Sequence, residues 1–142
     1  MDELTEQARD AMEAGYAPYS EYFVGAALQA ADGTVYTGCN IENANYSNSL
    51  HAEEVAIGKA VSDGQTEFAR LAVVSAAEDG VTPCGMCRQT LVEFCDPDLR
   101  VICDEGTTLA TYALGDLLPA AISEGTLDRA RDSQRGTDTG DR

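Results

Sequence analysis

The segment Pro83-Cys84-Gly85-Met86-Cys87, read together with His51-Ala52-Glu53 upstream, constrains this chain more than any other feature. Two thiols separated by two residues, with an imidazole elsewhere, supply three soft or borderline metal ligands. Glu53 adds a carboxylate that ligates nothing. Three protein ligands leave a tetrahedral zinc ion one open position for water, which separates a catalytic site from a closed structural one. A water held there has its pKa lowered from about 15.7 towards about 7. Glu53, two residues from His51, is placed to act as the general acid and base.

The fold around these ligands must be small. A chain of 142 residues with 44% hydrophobic content forms one domain with a single core. Leu4, Ala8, Ala11 and Met12 recur at helical spacing, which predicts an amphipathic helix from Asp2 to about Gly15. Glu21 to Ala30 and Thr34 to Cys39, joined by the turn residues Asp32-Gly33, read as a β-hairpin. Asn40 to Ser49 is a polar loop without periodicity. A second helix then starts near Ser49, the expected N-cap, and runs to Gly64, placing His51 and Glu53 in its first turn. Leu71 to Ala77 is a continuous apolar run, the pattern of a strand covered on both faces.

After turn residues Glu78 to Val81, Thr82 is the expected cap of a third helix, with Pro83 at its first position and Cys84, Cys87, Leu91 and Cys95 on one face. The positive ends of the second and third helices point to one end of the sheet and favour Cys84 and Cys87 as thiolates. Leu99 to Cys103 and Leu109 to Leu114 read as strands, and Asp116 to Ile122 as a short helical piece. A hairpin followed by alternating helices and strands predicts an α/β layer architecture with a mixed sheet. The domain is expected over 1–127, with a disordered polar tail over 128–142.

Charge and cysteine usage exclude several functions. Asp and Glu outnumber Lys and Arg by 25 to 9, and such a surface repels nucleic acid. A small free substrate is expected instead of a polynucleotide. The spread of acid also suggests a very salty cytosol, since at molar salt the screening length shrinks to roughly 3 Å and self-repulsion fades. No apolar run is long enough to span a bilayer, and the acidic start Met1-Asp2-Glu3 does not resemble a secretory signal, so a cytoplasmic protein is expected. Five cysteines, two of them in one Cys-x-x-Cys, read as metal or redox chemistry before a disulfide scaffold. Cys39, Cys95 and Cys103 are expected to pack in the interior. A redox dithiol would leave His51 and Glu53 unused; a structural zinc site would draw on Cys39 as its fourth ligand.

Five stretches together resemble the cytidine deaminases: Tyr16-Ala17-Pro18-Tyr19-Ser20, Val24-Gly25-Ala26-Ala27-Leu28, Cys39-Asn40-Ile41-Glu42-Asn43, His51-Ala52-Glu53 and Pro83 to Gln89. The resemblance covers residues 8–120. It implies a three-layer α/β/α fold with a mixed five-stranded sheet, and hydrolytic deamination of cytidine and 2′-deoxycytidine in pyrimidine salvage. It implies one zinc per chain on His51, Cys84 and Cys87, with Glu53 as proton shuttle. Asn40 and Glu42 would hydrogen-bond the ribose hydroxyls, with Asn43 in the same substrate-binding stretch. Ala44 would offer backbone contacts, Tyr22 would stack on the pyrimidine, and Tyr46 would reach a neighbouring subunit's site in a homotetramer. Blasticidin-type nucleoside deaminases share the His-Ala-Glu and Pro-Cys-Gly-x-Cys elements; the Asn-Ile-Glu-Asn stretch favours cytidine. The pattern departs from the family at four places: Tyr22 stands where the family usually has Phe, His51 where short-chain relatives generally carry Cys, Glu54 where they carry Arg, and Ile122 where they tend to have an aromatic.

Overall fold

The computed structural model describes residues 2–77 and 80–141. Its centre is β3 (Phe68–Ser75), whose residues Leu71 to Val74 are fully buried. This is the doubly covered strand expected from the unbroken apolar run. β1 (Val24–Ala30) and β2 (Val35–Cys39) form the expected hairpin, in register from Gly25 opposite Cys39 to Gln29 opposite Val35. The Asp32 carboxylate accepts a hydrogen bond from the Thr34 N–H at 3.0 Å and fixes the turn. With β4 (Arg100–Asp104) and β5 (Leu109–Ala113), the strands line up as β2-β1-β3-β4-β5. Only β3 and β4 run parallel; the other neighbours are antiparallel. The sheet is mixed and five-stranded.

Alternate side chains along the strands face opposite layers. Ala27, Ala72, Val74 and Ile102 meet Leu4 and Ala8 of α1 (Glu3–Met12) on one face. Ala26, Leu28, Leu71, Val73, Val101 and Cys103 meet Ala52, Ala56, Ile57 and Ala60 of α2 (Ala52–Ser62) and Leu91 of α3 (Gly85–Phe94) on the other. The three layers are helix, sheet and helix pair. α3 lies in the crossover that the parallel β3–β4 pair requires. Among the described residues, no helix is long and apolar enough to cross a membrane.

Several boundaries differ from the sequence reading, and each has a local cause. α1 stops at Met12, because Glu13 to Gly15 turn back onto Asp10, Ala11 and Met12. α2 is capped by His51 and not by Ser49: the His51 N–H donates to the Glu54 carboxylate at 2.7 Å. α3 is capped by Cys84 and not by Thr82, so Pro83 precedes the helix. The Arg88 guanidinium draws Thr82 and Pro83 aside, donating to the Pro83 carbonyl at 2.6 Å and to Thr82 Oγ1 at 3.2 Å. The helical piece expected over Asp116 to Ile122 is α4 (Leu114–Leu117), ended ahead of Pro119. Of the turn expected over Glu78 to Val81, residues 78 and 79 lie outside the described residues.

Where a disordered tail over 128–142 is expected, the structure places the helix α5 (Glu124–Asp141); Arg142 lies outside the described residues. Its early turns carry (i, i+3) pairs of Arg131 with Asp128 and of Arg135 with Asp132, which support a polar helix locally.

Two glycines let helices seat directly on strands. A Cβ at Gly38 would lie 2.1 Å from the Ala52 carbonyl oxygen and 2.7 Å from the Ala56 nitrogen, and one at Gly25 would lie 2.0 Å from the Ala8 carbonyl oxygen. Gly38→Ala therefore pushes α2 off the sheet. Overpacking of this kind costs about 1–3 kcal/mol, and because α2 carries His51 and Glu53, bound zinc should weaken with it. Denaturant melting and metal content measure both; a variant as stable as the parent would contradict this docking.

Candidate active site

The N-terminal ends of α2 and α3 meet at the end of the sheet where β1 begins and where β2 and β3 end. His51 caps α2 and Cys84 caps α3, so both ligands stand on extended backbone just ahead of a helix. Cys87 follows in the first turn of α3, buried. His51 Nδ1 lies 3.2 Å from Cys84 Sγ and 3.3 Å from Cys87 Sγ. All three donor atoms fall within 4.8 Å of one another.

This donor set fits zinc. Ligand distances of about 2.0–2.1 Å to nitrogen and about 2.3 Å to sulfur on tetrahedral axes separate N from S by about 3.6 Å, a small outward relaxation from the spacing found. Cys39 does not belong to the cluster. The fourth ligand that a structural site needs is therefore not supplied from that position.

Glu53 is only 4% exposed and lines the same cavity as His51 and Cys84. Burial pushes its carboxyl above the ordinary value, against the lowering effects of its own backbone N–H, the charge of His51 and the Cys87 thiol. Such a carboxyl holds a proton more readily than a solvated one. Burial, and then the charges of Glu53 and Cys84, push the Cys87 thiol well up as well. Burial thus opposes the thiolate form of Cys87 that the helix N-terminus favours, and a cation held by the three donors would favour it. Burial pushes Cys95 and Cys103 up to about 12, as suits packing residues; Cys39 and Cys95 are half-buried and Cys103 is buried.

The cavity measures about 340 Å³ and is lined by Tyr22, Asn40, Glu42, His51, Glu53 and Cys84 among the residues singled out in the sequence. The Asn40 amide already accepts from the Val24 N–H at 3.0 Å and donates to the Tyr22 carbonyl at 2.7 Å. It retains one donor and one acceptor for a ligand. Tyr22 is 40% exposed at the rim. Asn43, Ala44 and Tyr46 do not line this cavity. The Asn43 side chain accepts from the Asn45 N–H at 2.8 Å, shaping the loop. Tyr46 is 74% exposed, its ring set edge-on to Tyr19 at 6.0 Å between centroids. Ile122 is also outside the cavity, and its carbonyl accepts from the Gln89 amide at 2.9 Å.

Ser20 and Arg88 have no assigned role in the sequence reading. Ser20 lines the cavity and bonds to Glu42. Arg88, next to Cys87, ties Thr82, Pro83 and the Leu117 carbonyl together and so fixes the approach to Cys84. Its place directly after the Cys-x-x-Cys pair was the one visible signal.

Residues 1–103 match the family model described as the cytidine and deoxycytidylate deaminase zinc-binding region. A cytidine deaminase of Sporosarcina psychrophila is 46% identical over 136 residues, 92% of this chain and 96% of the relative. The chain belongs to the cytidine deaminase family. The crystal structure of cytidine deaminase from Burkholderia pseudomallei superposes with a TM-score of 0.81 at 42% identity, covering 86% of this chain and all of that one. That from Mycobacterium tuberculosis gives 0.75 at 39% identity, covering 84% and 94%. This deaminase thus has the three-layer fold of its solved relatives, and zinc is its cofactor.

Proposed function

We propose that the protein hydrolyses free cytidine and 2′-deoxycytidine to the corresponding uridines and ammonia, in the cytoplasm, as a homotetramer. One observation carries the reading: a buried, unliganded carboxylate, Glu53, shares a nucleoside-sized cavity with the His51, Cys84 and Cys87 donor set. Zinc, when bound, supplies the Lewis acid that makes water a nucleophile near neutral pH. Glu53 accepts the proton of the attacking water and hands it to the pyrimidine ring nitrogen. The oxygen bonds to the amino-bearing carbon, its remaining proton passes through Glu53 to the exocyclic amine, and the C–N bond breaks to release ammonia and leave the uracil carbonyl. Asn40 and Glu42 hold the ribose, and Tyr22 covers the base. An ultraviolet assay at high salt tests this: cytidine absorbance should shift to that of uridine, and a chelator should stop it. Cytidine left intact by the zinc-loaded protein would refute the reading.

Charge at the metal explains why His51 and Glu54 occur together. Zinc with one imidazole and two thiolates is formally neutral, whereas a third thiolate would leave one negative charge. Glu54 then needs no basic replacement and is free to cap α2 through the His51 N–H. His51→Cys should lower kcat about tenfold or more, the scale of a perturbed ligand environment. Adding Glu54→Arg restores the charge, loses the cap, and should recover part of the loss. A double variant no better than the single one would count against this account.

The tetramer is supported by exposed apolar residues: Tyr16, Tyr19, Tyr46, Leu50 and Met86 are all 46% exposed or more, and Leu50 lines the cavity. Tyr46 belongs to a neighbouring protomer's site in this proposal. The acidic surface is an adaptation to high salt, so melting across a salt series should show rising stability; equal stability with and without molar salt would reject that part.

A further inference from the structure

We infer that Ser20 is a positioning residue for sugar recognition, holding Glu42 in the orientation from which it accepts a hydrogen bond from a ribose hydroxyl. The inference deepens the nucleoside reading above and rests on it. Ser20 and Glu42 line the same cavity as His51 and Glu53. Glu42 Oε1 accepts from the Tyr19 N–H at 3.0 Å and from the Ser20 N–H at 3.1 Å, while Oε2 accepts from the Ser20 hydroxyl.

The direction of that last bond is fixed. Ser20 Oγ accepts from the Tyr22 N–H at 3.0 Å, so its single proton is free to go to the carboxylate. A carboxylate offers about four acceptor sites. With three filled, about one remains, and a group that only accepts selects a hydroxyl over a phosphate. The turn that carries Ser20 holds Glu21 at φ 57°, in the left-handed region, with its N–H on the Ala17 carbonyl at 3.0 Å. A non-glycine residue persists there only when its surroundings impose it. The Ser20 hydroxyl is also the first cause holding the Glu42 carboxyl below the ordinary range, with the Ser20 and Tyr19 N–H groups adding to it against burial.

Ser20→Ala separates this role from a structural one when steady-state cytidine kinetics are combined with competitive inhibition by uridine and by 2′,3′-dideoxyuridine. Losing a hydrogen bond to a charged group at this partly exposed site should raise KM for cytidine and Ki for uridine roughly five- to tenfold, with kcat and zinc content little changed. Ki for the dideoxy analogue, which has no hydroxyl for Glu42 to read, should not move. The acid limb of kcat/KM should shift to higher pH as the Glu42 carboxyl returns upward, and Ser20→Thr should restore the parental values. Equal losses for uridine and its dideoxy analogue would make Ser20 merely structural, and no loss for either would show that Glu42 needs no such partner. A wild-type protein that fails to turn over cytidine would instead overturn the functional reading itself, and this inference with it.

Discussion

Glu53→Gln should lower kcat for cytidine by about 10²- to 10⁴-fold, the usual contribution of a positioned proton-transfer group, while leaving one zinc per chain and the fold in place. The amide keeps the shape of the side chain and removes its ability to take a proton from water. The same substitution has an opposite effect on stability. The Glu53 carboxyl is raised by burial, so in the metal-free protein its contribution is fully present below its ordinary value of 4.5 and is lost as pH rises through the higher folded value. Metal-free wild-type protein should therefore lose stability over that interval, and Glu53→Gln should flatten the loss. A variant that deaminates cytidine at the parental rate would remove Glu53 from the mechanism.

Cys84→Ser should abolish stoichiometric zinc and, with it, detectable turnover. A ligand that binds only the folded state stabilises it by about 4 kcal/mol at a thousandfold excess over its dissociation constant. The parent should thus melt higher with zinc than with a chelator, and Cys84→Ser should melt alike in both. Cys39→Ser is the control, because Cys39 lies outside the donor cluster and its loss should leave zinc bound. Retention of one zinc by Cys84→Ser, or loss of zinc from Cys39→Ser, would reassign the site. A redox dithiol is separated by the same data, since it would hold no zinc to lose.

What was legible in the sequence is what depends on local pattern. The apolar run of β3, the Asp32-Gly33 turn and the 3.6-residue period of α1 each carry their own signal, and so do the two short motifs His51-Ala52-Glu53 and Cys84-x-x-Cys87, although 33 residues separate His51 from Cys84. The N-caps differ from the sequence expectation because side chains three to six residues away decide them. Arg88 holds Thr82 and Pro83 out of α3, and Glu54 folds back onto the His51 N–H. Both shifts move a metal ligand from the helix to its cap. Ser20 carries no local signal, because its partner Glu42 is 22 residues away in sequence and meets it through the fold. Half of the hydrogen-bonding capacity of Asn40 anchors the start of β1, a role that no spacing announces and that leaves the other half for a ligand.

The most direct test is to strip the protein of metal and return zinc in measured steps while following cytidine conversion by ultraviolet absorbance. Activity and bound zinc should rise together and level off at one ion per chain. Full conversion by the metal-free protein, or zinc bound stoichiometrically without any conversion, would contradict the account.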